Sequence, residues 1–162
     1  NLILKDSQFK FIKRTKRPPE DSLNAMISFG NTLLYQIIAT EIYKTRLDIR
    51  ISYLHSSLRR YENLNLDIAE IFKPIVIDKV IFLLVNKHMI DSKLHFEKNG
   101  KSVLLNKEGK KIFITQINKK LYSKVKIKEK NYTYYELIRE EVLKILRYFK
   151  TQQEYVPYKY RM

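Results

Sequence analysis

The chain contains no cysteine and no tryptophan, and only three glycines and four prolines. The lack of cysteine removes disulfides, thiol nucleophiles and cysteine-ligated zinc ribbons at once, and it fits a reducing cytoplasm. Gly30, Gly100 and Gly109 stand far apart, so no glycine-rich loop cradles a phosphate, and nucleotide hydrolysis and dinucleotide redox chemistry lose their usual support. No Gly-x-Ser-x-Gly elbow occurs either. Long hydrophobic runs are also missing. The most apolar stretch, residues 75 to 85, is interrupted by Asp78 and Lys79 and falls well short of the roughly 20 residues that span a bilayer. No signal peptide is visible.

Basic charge is abundant. Aspartate and glutamate number 17 against 32 lysines and arginines, giving a formal net charge of +15, which favours a polyanionic partner, nucleic acid or an acidic membrane surface. Residues 98 to 130 alone carry eleven lysines and two glutamates, a net of +9. The competing reading of that cluster is a solvated lysine-rich face, because lysine binds phosphate as a point charge and is also a common solubiliser. At 162 residues and 44% apolar content, the chain is long enough for one domain with a real core and is not disordered. It opens on Asn1 in the sequence Asn-Leu-Ile-Leu, which reads as the interior of a longer protein.

Residues 1 to 16 hold Lys5, Lys10, Lys13, Arg14 and Lys16 and read as the end of a helix followed by an extended basic connector. Arg17-Pro18-Pro19 stops any helix. Asp21 or Ser22 then caps a helix to about Arg46, with Leu23, Met26, Ile27, Leu33, Leu34, Ile37, Ile38 and Ile42 at helical spacing. Asn24 and Asn31 read as partners of neighbouring loops. A short helix is allowed near 47 to 53, followed by a loop. The next helix starts between Asn63 and Asp67 and runs to about His88, bending at Pro74. Residues 93 to 105 read as a hairpin with Asn99-Gly100 as its turn. A helix over about 107 to 124 follows, capped by Asn106, with Lys110, Lys111, Lys119, Lys120 and Lys124 outward. Thr133-x-x-Glu136 is a capping box that opens a last helix to about Thr151, with Ile138, Val142, Ile145, Leu146 and Phe149 inward. The tyrosine-rich tail packs onto the helices in preference to stacking on bases. His88 and His95 read as ordinary surface residues.

The stretch from Tyr53 to Lys73 concentrates His55, the adjacent Arg59 and Arg60, and Asp67 and Glu70. Two readings stand side by side. Asp67 and Glu70 are three apart, on one face of a helix, and with His55 folded back they make a nitrogen and oxygen set suited to magnesium or manganese. Asp67-x-x-Glu70 before an apolar run also fits a capping box or a solvated face with no metal, and spacing by itself favours these.

A longer pattern bears on that choice. Arg17-Pro18-Pro19-Glu20-Asp21-Ser22-Leu23-Asn24-Ala25, continuing through Ser28-Phe29-Gly30 to Leu33-Leu34-Tyr35, resembles the signature that opens the helical domain of the CRISPR spacer-acquisition integrases. Leu54-His55 is similar to that family's Leu-His step. Asp67, Glu70, Phe72, Lys73, Pro74 and Asp78 resemble its Asp-x-x-Glu-x-Phe-Lys-Pro segment, and Tyr155-x-Pro157 its ending.

The resemblance implies an all-α, multi-helix catalytic domain over 20–162 with one short hairpin near 93–105, preceded by a basic connector over 1–19 from a region upstream. It implies a magnesium- or manganese-dependent integrase and endonuclease that joins protospacer 3′-hydroxyls to the CRISPR repeat by transesterification. His55 and Glu70 would be metal ligands and Asp67 a ligand or base. Arg59, Arg60 and Lys73 would lie near the phosphates, an expectation from charge and proximity. Arg17, Lys110 and Lys111 are further candidates for DNA contact. The partners implied are DNA, a second copy of the chain through an N-terminal β domain, and the small second subunit of the integration complex, in a prokaryotic cytoplasm and off the membrane. The family's remaining ligand is a glutamate in a Glu-Gly motif upstream of the Arg-Pro-Pro signature. No such motif precedes Arg17 here, so the fragment by itself is expected to be inactive. The alternatives are a non-enzymatic basic helical nucleic-acid-binding module and an adaptor on acidic lipid. A close approach of the His55 ring to the Glu70 carboxylate separates them from the enzyme.

Overall fold

The computed structural model describes Phe9, residues 13–50 and residues 63–159. Its elements are helical with two small hairpins: α1 (Ser22–Tyr43), α2 (Leu64–Phe72), a π-turn (Lys73–Asp78), α3 (Lys79–Asn86), β1 (Phe96–Asn99), β2 (Ser102–Leu105), α4 (Lys107–Leu121), β3 (Lys124–Ile127), β4 (Lys130–Thr133) and α5 (Tyr134–Thr151). The expected fold class, helical with a short hairpin, is what the chain adopts. Among the described residues no helix is long and apolar enough to cross a membrane.

The chain divides into two compact units, Asn1–Thr32 with Val76–Lys120 and Leu33–Ile75 with Leu121–Met162. In the first, Met26, Ile77, Leu84 and Phe113 are fully buried; in the second, Ile38, Ile42, Leu64, Phe72 and Ile138 are. The buried positions of α1 recur every four residues, at Met26, Leu34, Ile38 and Ile42, as a helix packed along one stripe requires. Asp21 caps α1, its Oδ1 accepting from the Asn24 N–H at 2.7 Å.

Pro74 acts as its covalent structure demands. It has no N–H, and its ring collides with the carbonyl four residues back. The helix tolerates it by widening into a π-turn over Lys73–Asp78 and then continues as α3 to Asn86, two residues before the expected end. His88 follows with a φ of +52°. Residues 44–46 and 49–50 form turns, so no helix begins at 47; the remainder of the allowed 47–53 helix lies outside the described residues.

The first hairpin is where expected, but its turn is one residue later. Asn99 pairs with Ser102, so the loop is Gly100-Lys101, and Gly100 takes a φ of +60°. Only the first loop residue has positive φ, as in a type II′ turn, where glycine is preferred at that position. Asn106 caps α4, its Oδ1 accepting from Gly109 N–H at 2.9 Å. That helix ends at Leu121 rather than 124, because Lys124–Ile127 leaves it to pair with Lys130–Thr133 as a second hairpin, which residue spacing does not announce. The Thr133 capping box forms as expected, with both reciprocal bonds present. Phe149, expected inward, is 41% exposed.

Gly109 is the tightest point of the first unit. A Cβ there meets the His95 carbonyl at 2.4 Å and Leu105 at 2.9 Å. Gly109→Ala should therefore lower the unfolding free energy by about 1–3 kcal/mol, the cost of overpacking, where Ala at an unhindered glycine stabilises. Urea denaturation of the two proteins measures it, and an unchanged midpoint would show that this close approach relaxes freely.

Candidate functional site

Helix α2 begins at Leu64, with Asn63 at the cap position and no side-chain cap. Asp67 lies inside the helix, its N–H donating to the Asn63 carbonyl at 3.1 Å. The capping-box reading of Asp67-x-x-Glu70 therefore fails: the cap position is Asn63, and Asp67 is an interior residue of the helix. Asp67 is buried at 7% exposure. Glu70, one turn further, is 47% exposed and forms an ion pair with the Lys73 ammonium. Lys73 extends over the Tyr35 ring, 5.1 Å from its centroid. Burial alone pushes the Lys73 pKa down, but hydrogen bonds to Glu70 and Tyr35 outweigh it and hold the ammonium above its ordinary value.

Asp67 and Glu70 open into one recess of about 450 Å³, walled by Ile68 and Ile71 of α2, Ile145 of α5, and Tyr155 and Pro157 of the tail. The tail is held there by Glu141, an acidic residue in the apolar stripe of α5 and 1% exposed. Its carboxylate accepts from the Tyr155 hydroxyl at 2.6 Å, the Lys144 ammonium at 2.8 Å and the Tyr158 N–H at 3.2 Å. Tyr158 stacks flat on Phe72, centroids 6.1 Å apart and planes at 6°. Tail packing onto helices was expected. Tyr35 was named only as part of the Arg-Pro-Pro signature and Glu141 not at all, although a glutamate at Leu137-Ile138-x-x-Glu141-Val142 spacing is a visible signal of a buried anchor.

The other signature residues are architectural. Asn24, fully buried, accepts from Arg14 at 2.8 Å and from Thr15 N–H at 3.1 Å, and its amide donates to the Lys13 carbonyl at 2.8 Å and to Asp21 at 2.6 Å. Arg14 also donates to Ser28 at 3.0 Å. These bonds pin the basic arm to α1. His95 is structural too, its Nδ1 accepting from Asp91 N–H at 2.8 Å.

Of the expected site residues, Asp67, Glu70 and Lys73 come together in the second unit. Arg17, Lys110 and Lys111 are exposed in the first, the two lysines lining an open groove with Lys107, Ile114, Thr115 and Glu97. His55, Arg59 and Arg60 lie outside the described residues. Asp67 and Glu70 are hard oxygen donors one turn apart, the kind magnesium and manganese take, and so fit part of a ligand set. Among the described residues no group of three or more His, Cys, Asp or Glu converges.

A family model described as CRISPR associated protein Cas1 matches residues 1–119. The chain is 43% identical over 160 residues to a CRISPR-associated endonuclease Cas1 of Thermodesulfovibrio yellowstonii, covering 98% of this chain and 48% of that one. It is 44% identical over 152 residues to one of Pyrococcus horikoshii, covering 93% and 47%. A solved CAS1 protein from Thermotoga maritima superposes with a TM-score of 0.85 at 38% identity, over 98% of this chain and 49% of that one. A casposase bound to integration product shares the fold, TM-score 0.86 at 21% identity, over 96% and 44%. The chain thus spans about half the length of the curated relatives it matches.

Removing the Glu141 carboxylate leaves Tyr155, Tyr158 and Lys144 without their shared acceptor. Glu141→Ala should cost about 1–3 kcal/mol of stability and make the 152–159 segment cleavable by limited proteolysis. A protein as resistant as the parent at that segment would show that the tail is held by its apolar packing alone.

Proposed function

The chain belongs to the Cas1 family, and from that premise we propose that it is the helical catalytic part of a metal-dependent DNA integrase and endonuclease of CRISPR adaptation. The observation that carries the reading is the recess of the second unit, where both carboxylates of the Asp-x-x-Glu match open onto one surface. We assign Asp67, Glu70 and His55 as the residues that would hold magnesium or manganese, with a further glutamate upstream of Arg17 as the resemblance implies. When bound, such an ion supplies Lewis-acid polarisation of a phosphoryl oxygen and a lowered pKa for the attacking hydroxyl.

The chain's own residues supply placement. Burial of Asp67 fixes one donor, while Glu70 at the rim stays reachable from solvent. Lys73, paired with Glu70 and held over the Tyr35 ring, would offer its ammonium to a phosphate oxygen beside the recess. Aliphatic side chains of Ile68, Ile71 and Ile145 line the recess and would lower the local dielectric beside a bound phosphodiester. Exchange of one phosphodiester for another needs no nucleotide, in keeping with a chain that lacks a phosphate-binding glycine loop. DNA as substrate, a second copy of the chain and a small Cas2-type subunit as partners belong to the same proposal. Net charge supports the first, fold neighbours described as Cas6-RT-Cas1–Cas2 complexes support the last, and the second copy rests on the family resemblance.

The test is DNA joining by the natural protein in which this chain occurs. His55→Ala and Glu70→Ala should each reduce joining by more than the 10- to 100-fold that loss of an outer-shell partner costs, with unchanged circular dichroism. The 162-residue chain alone should join nothing. Undiminished joining by either variant would make the carboxylates structural and leave a basic nucleic-acid-binding module.

DNA binding through the lysine groove is tested separately. Lys110→Glu combined with Lys111→Glu should weaken binding to all DNA sequences alike and reduce the log–log salt slope by about 0.9 for each phosphate no longer neutralised. Equal affinity of the double variant and the parent would assign the groove to solvation.

A further inference from the structure

In the second unit, remote in sequence from Asp67 and Glu70, Tyr122 stands 63% exposed. Its ring stacks on Tyr135, with centroids 5.8 Å apart and planes at 16°. Tyr135 is fixed in turn, because its hydroxyl donates to Glu41 at 2.5 Å. Glu41 is 3% exposed and is also bound by the Lys44 ammonium at 2.5 Å. The arrangement is a rigid double layer of rings with one outer face turned to water.

Basic residues accompany it. Lys44, 57% exposed, is paired with Glu41 and belongs to the support of Tyr135. Lys124 and Lys126, two and four residues after Tyr122, project from one face of β3 and are both exposed. Arg139, exposed and one helical turn beyond Tyr135 on α5, lies close enough for its charge to act on Glu41. The acids nearby are already engaged: Glu41 by Lys44 and Tyr135, and Glu136 by the Thr133 cap. Among the described residues, Tyr134 is buried, Tyr155 donates to Glu141 and Tyr158 stacks on Phe72. An ordered, uncovered aromatic face with a cationic rim matches the chemistry of single-stranded nucleic acid, whose unpaired bases offer a π-face and whose phosphates take the lysines. Away from its ends, duplex DNA offers no such face, since each interior base is covered by its neighbours.

We propose that Tyr122, backed by Tyr135 and followed on β3 by Lys124 and Lys126, is a stacking platform for an unpaired nucleotide of single-stranded DNA. The proposal rests on the DNA reading given above and extends it to a strand outside the carboxylate recess. Tyr122 acts here as a binding residue; Glu41 positions Tyr135.

Fluorescence anisotropy on the 162-residue chain tests it with three probes: a blunt duplex, the same duplex with a 3′ thymidine tail, and one with an abasic tail. Tyr122→Ala should weaken the thymidine-tailed duplex by roughly 5- to 150-fold, the range for loss of one stacked base, and leave the blunt duplex unchanged. Tyr122→Phe should bind as the parent does. Because the chain has no tryptophan, Tyr122→Trp installs a single reporter, whose emission should be quenched by the thymidine tail and not by the abasic one. An unchanged affinity of Tyr122→Ala for the tailed probe, an equal loss on all three probes, or no selective quenching would overturn the platform while leaving duplex binding intact. Failure of the parent to bind any of the probes would overturn the underlying DNA reading together with it.

Discussion

Three carboxylates, Glu41, Asp67 and Glu141, are buried among the described residues, and all belong to the second compact unit. A carboxylate taken out of water is costly unless donors replace its hydration, so each dictates what surrounds it. Glu141 gathers Tyr155, Tyr158 and Lys144 and thereby brings the tail against α5. Glu41 gathers Tyr135 and Lys44; burial alone pushes its pKa up, but these partners and the Arg139 charge hold it below the ordinary value. Asp67 opens onto a recess walled by the tail that Glu141 secures. The order of the tail and the shape of the recess thus rest on the same requirement that buried acid be matched.

The surplus of basic residues reads differently beside that requirement. Lys44, Lys73 and Lys144 are each committed to an acid within the fold. Lysines on α4 and β3 are exposed at the surface, where repulsion among like charges disfavours the compact state and a polyanion relieves it. Net charge argues for nucleic acid as a class, while the recess argues for chemistry on it. The family assignment joins the two.

Much of this was legible in residue spacing. Helices α1 and α5 follow from apolar periodicity and from the Thr133 capping box, and the first hairpin from Asn99-Gly100, although pairing of Asn99 with Ser102 moved its turn by one residue. The second hairpin was missed because Lys124 to Lys130 presents lysine at alternate positions, and after a lysine-rich helix that pattern reads as more outward face. Asp67 illustrates a subtler limit. Local sequence allowed a helix cap or a ligand, and only the start of α2 three residues earlier removed the cap. Side chains that meet across long separations, such as Glu41 with Tyr135 and Glu141 with the tail, leave only a weak mark: an acid in an apolar stripe, with its partner unnamed.

The central claim is that Asp67 and Glu70, with His55, form one divalent-cation site. Paramagnetic broadening of the amide and histidine ring signals by manganese tests it directly, because it detects even weak binding and reports where the ion sits. The account predicts that resonances of His55, Asp67 and Glu70 broaden first, ahead of those of His88 and His95, and that Glu70→Ala abolishes the effect. Preferential broadening elsewhere, or broadening at Asp67 that leaves the His55 ring untouched, would contradict it.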